Sequence, residues 1–196
     1  MGGANLFYLA KKYPEISFEG IELNKELVKY ANELLISQQA VTNVKIYQGD
    51  WYNLPINDLK DKYSGIVSFQ TLSWLPEYTD AIKCLVDLNP NWIAVSSLFY
   101  EGSIDYTIKL KDYTRSDALK DYQEYYYNIY SLVKVKELFN ELGYKNFSYK
   151  KFEIDIDLEK KIWDGLGTYT KKLEDGGRIQ ISGALMLPWY FIYASK

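Results

Sequence analysis

The chain has 196 residues and a net charge of −3, with 47% apolar, 25% charged and 17% aromatic residues. Such a composition fits one globular domain with a real core; it excludes a disordered or collagen-like chain, and Lys, Asp or Tyr breaks every apolar run well short of the roughly 18 residues of a membrane span. Acidic residues outnumber basic ones, 26 to 23, which disfavours general nucleic-acid binding.

There is no histidine, and Cys84 is the single cysteine. His-ligated zinc, a thiolate metal site, a Ser-His-Asp triad and an intrachain disulfide are therefore excluded, and a reducing cytoplasm is the expected compartment. Any chemistry has to run on carboxylates, Tyr, Lys, hydroxyls, backbone dipoles or a cofactor. Tyrosine is abundant, with 20 residues.

In chain order, residues 5–13 space Leu6, Leu9 and Ala10 as a short helix that stops at Pro14. Residues 16–23 read as a strand reaching the acid Glu22. Asn24 then caps a helix with Leu27, Ala31, Leu34 and Leu35 on one face. Residues 44–47 form the next strand, leading into Gly49-Asp50-Trp51. Residues 64–72 form another, followed by a polar-aromatic loop and a helix carrying Ile82, Leu85 and Val86; residues 92–99 are again a strand.

This alternation predicts an α/β fold with βαβ units and a mainly parallel sheet. Segment 100–130 is polar and tyrosine-rich, with Leu119, Tyr122 and Tyr126 spaced as one helical face. A helix is expected from Ser131 to Gly143. The remainder reads as antiparallel: a strand over 147–158, a hairpin of 167–173 with 179–182 around Glu-Asp-Gly-Gly, and a last strand over 187–194. No linker divides the chain, so residues 1–196 are read as one domain with 100–130 inserted on the substrate side.

Nucleotide-binding α/β sheets place a glycine turn beside the ligand and an acid about 20 residues later on its ribose. Gly3 and Glu22 are 19 residues apart. Glu22, Asp50 and Gln70 each follow an apolar strand, and parallel strands bring all of them to the same carboxyl edge. On spacing alone, a nucleoside site and an ordinary polar sheet edge both remain open.

Gly-Gly-Ala-Asn-Leu (2–6), Gly-Ile-Glu-Leu-Asn (20–24), Gly-Asp-Trp (49–51), Phe-Gln-Thr-Leu-Ser-Trp-Leu-Pro (69–76) and Leu-Met-Leu-Pro-Trp-Tyr-Phe (185–191) resemble, in this order and spacing, the class I S-adenosylmethionine-dependent methyltransferases. The resemblance spans essentially the whole chain. It implies a Rossmann-like sheet with an antiparallel C-terminal strand and a β-hairpin elaboration. It also implies S-adenosylmethionine as cofactor and no metal: Gly2 and Gly3 lie beside the methionine moiety, Glu22 on the ribose hydroxyls, Asp50 on the adenine amino group, Trp51 beside the ring, Leu23 as its apolar wall, and Gln70 next to the sulfonium and the acceptor. The family begins with an apolar strand ending in an acid and a first glycine. This chain opens past that point, so the central strand is expected upstream, in a longer protein.

Methyl transfer from a sulfonium is an in-line displacement, so the protein's main task is alignment, and a hydroxyl acceptor benefits from a general base. Without histidine, that base is a carboxylate or a shifted Tyr or Lys; Gln70, Glu101 and Tyr126 are the candidates for the catalytic side. Trp74, Tyr100, Tyr127 and Tyr130 are further candidate acceptor contacts. Residues 70–73 read Gln-Thr-Leu-Ser and lack the Asn/Asp-Pro-Pro-aromatic pattern of enzymes that methylate nucleic-acid amines. The expected partner is therefore a small polar molecule or glycan, methylated on oxygen, with homodimerisation left open. The alternative is a degenerate, non-catalytic Rossmann-like domain that binds a nucleoside or another subunit.

Overall fold

In a computed structural model, residues 3–37, 42–113, 122–161 and 167–196 are described. The chain separates into two compact units, Met1–Leu59 and Lys60–Lys196. Among the described residues no helix is long and apolar enough to cross a membrane.

The first unit runs α1 (Ala4–Lys12), β1 (Phe18–Glu22), α2 (Lys25–Ser37), β2 (Val44–Gln48), a 3₁₀ turn (Trp51–Asn53) and α3 (Ile56–Leu59). Strands β1 and β2 are parallel, pairing Phe18 with Val44 through Glu22 with Gln48. Phe7, Ala10, Ala31, Val44 and Ile46 form the core, with Leu6, Phe18, Val28, Leu34 and Leu35 packed on it. These are the apolar positions of the predicted helix and strand periods. A Cβ on Gly20 would meet Leu6 Cδ2 at 2.9 Å, so glycine there lets α1 lie close on β1. The Asn43 amide donates one N–H to the carbonyl of Ile16 (2.7 Å) and shares the other between those of Ala10 (3.3 Å) and Tyr13 (3.3 Å), satisfying backbone groups where α1 turns into β1.

In the second unit, β3 (Gly65–Phe69), a 3₁₀ turn (Leu72–Trp74), α4 (Thr79–Asp87) and β4 (Trp92–Tyr100) continue the alternation. Then come β5 (Lys109–Asp112), β6 (Gln123–Tyr126), β7 (Tyr130–Ser131), α5 (Leu132–Glu141), β8 (Asn146–Lys151), β9 (Thr168–Lys172), β10 (Arg178–Ser182), β11 (Leu185–Met186) and β12 (Trp189–Ser195). The main sheet has the order β3-β4-β12-β8, with β7 also beside β4. Strands β3 and β7 are parallel to β4, and the C-terminal β12 is antiparallel to it, as expected. Strands β9 and β10 form the expected hairpin and β11 extends it. The strand expected over 147–158 is shorter and stops at Lys151.

Cross-strand partners share a face. Ile93 with Ala194 and Val95 with Ile192 are buried, whereas Val67, Phe69, Phe191 and Tyr193 on the other face are 38–44% exposed. Helix α5 matches its sequence signals: Ser131 Oγ accepts from Lys134 N at 3.2 Å as N-cap, and Gly143 turns left-handed after the last turn. Strand β1 pairs with β2, and β3 with β4, as two separate parallel pairs among the described residues.

Candidate active site

At the carboxyl edge of the first unit, Gly3 caps α1 with φ +81°, a left-handed geometry that glycine adopts without strain. A Cβ there would press on Ile46 Cδ1 at 3.1 Å and on the Phe7 ring at 3.3 Å. Gly2 lies outside the described residues.

Because Glu22 pairs with Gln48, β1 and β2 end level. The Gly49 N–H donates to the Glu22 carbonyl at 3.1 Å, tying the two strand exits together. Glu22 Oε1 accepts from Asn24 N at 3.0 Å, and Asn24 Oδ1 in turn accepts from Glu26 N at 2.9 Å and Leu27 N at 3.2 Å as the cap of α2. Asp50 caps the following turn: Oδ1 accepts from Tyr52 N at 3.0 Å and Oδ2 from Asn53 Nδ2 at 2.6 Å.

Two carboxylates are thus oriented at one edge by local donors, each retaining acceptor capacity, since an ionised carboxylate offers about four lone-pair sites. Leu23 is 67% exposed, so it is an apolar surface at this edge and not a core residue. Trp51 is half-buried.

In the second unit, Gln70 follows β3 with φ +58°, an uncommon backbone state for a side chain larger than glycine. It is held by its own N–H, which donates to Ser96 O at 2.8 Å. The helical face expected through Tyr122 and Tyr126 is corrected: Gln123–Tyr126 is strand β6, antiparallel to β5, and Leu119 lies outside the described residues. Cross-strand partners outweigh the helical spacing, including the ion pair of Lys109 with Glu124 at 2.5 Å, and tyrosine suits a half-buried strand.

Strand alternation sends Tyr125 and Tyr127 toward Trp74, with ring centroids at 6.2 and 4.8 Å, and Tyr126 between them to the other side. Trp74 remains 40% exposed.

Glu101, beyond the end of β4, accepts from Tyr190 OH at 3.0 Å. Burial, reinforced by that carboxylate, pushes the Tyr190 hydroxyl up to about 12. Tyr130 is buried; its hydroxyl donates to Leu75 O at 2.8 Å, and burial raises it to about 12. That hydroxyl is already engaged inside the fold, so Tyr130 belongs to the scaffold of the loop and not to an open acceptor surface. Tyr100 is 42% exposed, edge-on to Tyr106.

Gln70, Glu101 and Tyr126 follow or end β3, β4 and β6 respectively, and Glu101 is bonded to Tyr190. Sequence reasoning passed over Asn128, fully buried between Tyr127 and Ile129. Its one signal was a carboxamide inside an aromatic and apolar run.

Residues 2–136 match the model of a family described as a methyltransferase domain. Among solved structures, YcgJ from Bacillus subtilis has a TM-score of 0.59 at 12% identity, over 96% of this chain and 87% of its own. PigF, solved with SAH, gives 0.56 at 16% identity over 100% of this chain and 48% of its own. The S-adenosylmethionine-dependent methyltransferase SibL gives 0.55 at 10% identity over 100% and 48%. This chain spans about half the length of several structures it matches. No curated protein matches it. The sheet with its antiparallel last strand and the match over 2–136 lead to one family: the chain belongs to the methyltransferase-domain family.

Proposed function

We propose that the chain is an O-methyltransferase for a small polar acceptor, an oxygen of a saccharide or related metabolite. The reading assigns the ribose hydroxyls of the cofactor to Glu22, the adenine amino group to Asp50, the faces of the adenine to Leu23 and Trp51, and the methionine moiety to the turn at Gly2 and Gly3. The observation that carries it is the pair of carboxylates at the level ends of β1 and β2, bridged by Gly49 N–H to Glu22 O at 3.1 Å. The donor set fits: ribose hydroxyls and an adenine amino group donate, and ionised carboxylates accept only. Leu23 adds an exposed apolar contact for a flat base.

S-Adenosylmethionine, when bound, supplies a methyl group on a positively charged sulfur that leaves without acid assistance. The chain's own residues then have to orient the acceptor and dispose of its proton. In this reading Gln70 serves cofactor and acceptor from its left-handed position and Glu101 takes the hydroxyl proton; Tyr126, on the side of β6 away from Trp74, is left out of it. The net charge of −3 supports a small acceptor over a polyanion, and Gln-Thr-Leu-Ser at 70–73 supports oxygen over an amino group.

Calorimetry tests the assignment. Glu22→Ala is expected to weaken S-adenosylhomocysteine binding by about 1–3 kcal/mol, the worth of a charge-assisted hydrogen bond to ribose. An unchanged affinity removes Glu22 from the site.

A further inference from the structure

We propose that Asn128 is a positioning residue that builds an aromatic platform from Trp74, Tyr125 and Tyr127, and that this platform receives the flat, apolar face of a ring-shaped acceptor. The inference deepens the acceptor reading above and rests on it.

Asn128 joins three stretches of the second unit. Of its two Nδ2 N–H groups one donates to Tyr130 OH (2.9 Å) and the other is shared between Leu75 O (3.0 Å) and Pro76 O (3.3 Å), and its Oδ1 accepts from Ile108 N (2.9 Å). Its backbone N–H donates to Ser73 O at 2.8 Å. Ser73 Oγ meets Ser97 Oγ and accepts from Leu98 N at 3.1 Å, which anchors the same turn on β4. The turn carrying Trp74 is thereby fixed to β4 and to the start of the β5–β6 hairpin at once.

A carboxamide can donate to the loop and accept from the hairpin in one buried position. An aspartate there would turn a lone pair toward the Leu75 and Pro76 carbonyls.

The result is a ring arrangement with one open member. Tyr127 is 5% exposed and Tyr125 half-buried, with its hydroxyl donating to Gln123 Oε1, while Trp74 is 40% exposed. Two tyrosines hold an indole that stays partly exposed, an apolar surface that suits the C–H face of a pyranose and offers no charge for an ionic ligand.

The probe is 4-nitrophenyl β-D-glucoside, whose nitrophenyl group quenches indole fluorescence. Saturable quenching is expected in the wild-type protein, its loss in Trp74→Phe, and about tenfold weaker binding in Asn128→Asp, the order of one aromatic contact. Displacement by methyl β-D-glucoside is expected; displacement by benzyl alcohol but not by the glucoside, or by neither, overturns the platform. So does quenching that survives Trp74→Phe.

Near-ultraviolet circular dichroism reads the positioning directly. The difference between wild type and Trp74→Phe is expected to collapse when both are compared in an Asn128→Asp background, whereas mere destabilisation leaves it intact below the melting temperature. Should Asn128→Asp fail to fold, Tyr130→Phe deletes only the hydroxyl linking Asn128 to Leu75 and should give the same changes on a smaller scale. An unchanged difference spectrum in the folded variant overturns the role of Asn128. S-adenosylhomocysteine affinity, expected to be the same in all variants, reads the cofactor assignment separately from the platform.

Discussion

In the first unit, Glu22 and Asp50 reach one sheet edge because each lies at the exit of a strand in a regular parallel pair, and their orientation comes from donors within three residues. In the second, Trp74 meets Tyr125 and Tyr127 across some 50 residues of chain, through a buried amide and a hairpin. The proposed cofactor end is a product of local periodicity, and the proposed acceptor end a product of long-range packing. Substitutions in the two units should therefore fail in different ways.

The largest effect is expected at Gly65, paired with Trp92, where an added Cβ would stand 2.0 Å from the indole. A rigid ring packed beside Tyr193 cannot yield as a chain tip does, so Gly65→Ala should cost about 3 kcal/mol of stability in denaturant titration. Its counterpart Gly20→Ala meets only the end of Leu6 at 2.9 Å and should cost about 1 kcal/mol. Equal losses at the two glycines would break the contrast.

Alkaline pH should act on the second unit. Tyr130 and Tyr190 are raised to about 12 in the folded protein, above the ordinary value of 10.0, so the folded state holds their protons more tightly than the unfolded one. Their stabilisation is complete below about pH 10 and is lost as pH rises toward about 12. Tyr130→Phe should flatten the fall of melting temperature over that window, and an unchanged slope would dissociate Tyr130 from it.

Caps give the smallest effects. Ser131→Ala removes the N-cap of α5 and should cost about 1 kcal/mol in chemical denaturation. Asn24→Ala removes the exposed cap of α2 and should cost about 0.5–1 kcal/mol, while leaving the backbone N–H from which Glu22 accepts, and so S-adenosylhomocysteine affinity, unchanged.

Much of the fold was legible. The strand that ends in Glu22, the helix capped by Ser131, and the hairpin around Glu174-Asp175-Gly176-Gly177 all follow from apolar period, caps and turn residues, which act within a few positions, whereas the strand expected over 64–72 stops at Phe69 and gives way to a turn over Leu72–Trp74. The tyrosine-rich stretch was not. Tyr122 and Tyr126 keep helical spacing, yet Gln123–Tyr126 pairs with Lys109–Asp112, because a strand's preference is decided by the partner across from it. Strand alternation likewise turns Tyr125 and Tyr127, and not Tyr126, toward Trp74, and burial withdraws the Tyr130 hydroxyl from the surface.

By itself, then, the sequence determined the α/β alternation, the chemistry without histidine and the carboxylates at the strand ends, since strand and helix periods and cap residues are properties of neighbouring positions. Only the tertiary structure decided which tyrosines face Trp74, that Glu101 pairs with Tyr190, and that Asn128 binds the loop to the hairpin. Those choices depend on which distant backbone groups become buried together and must satisfy one another away from water, and no local spacing encodes that.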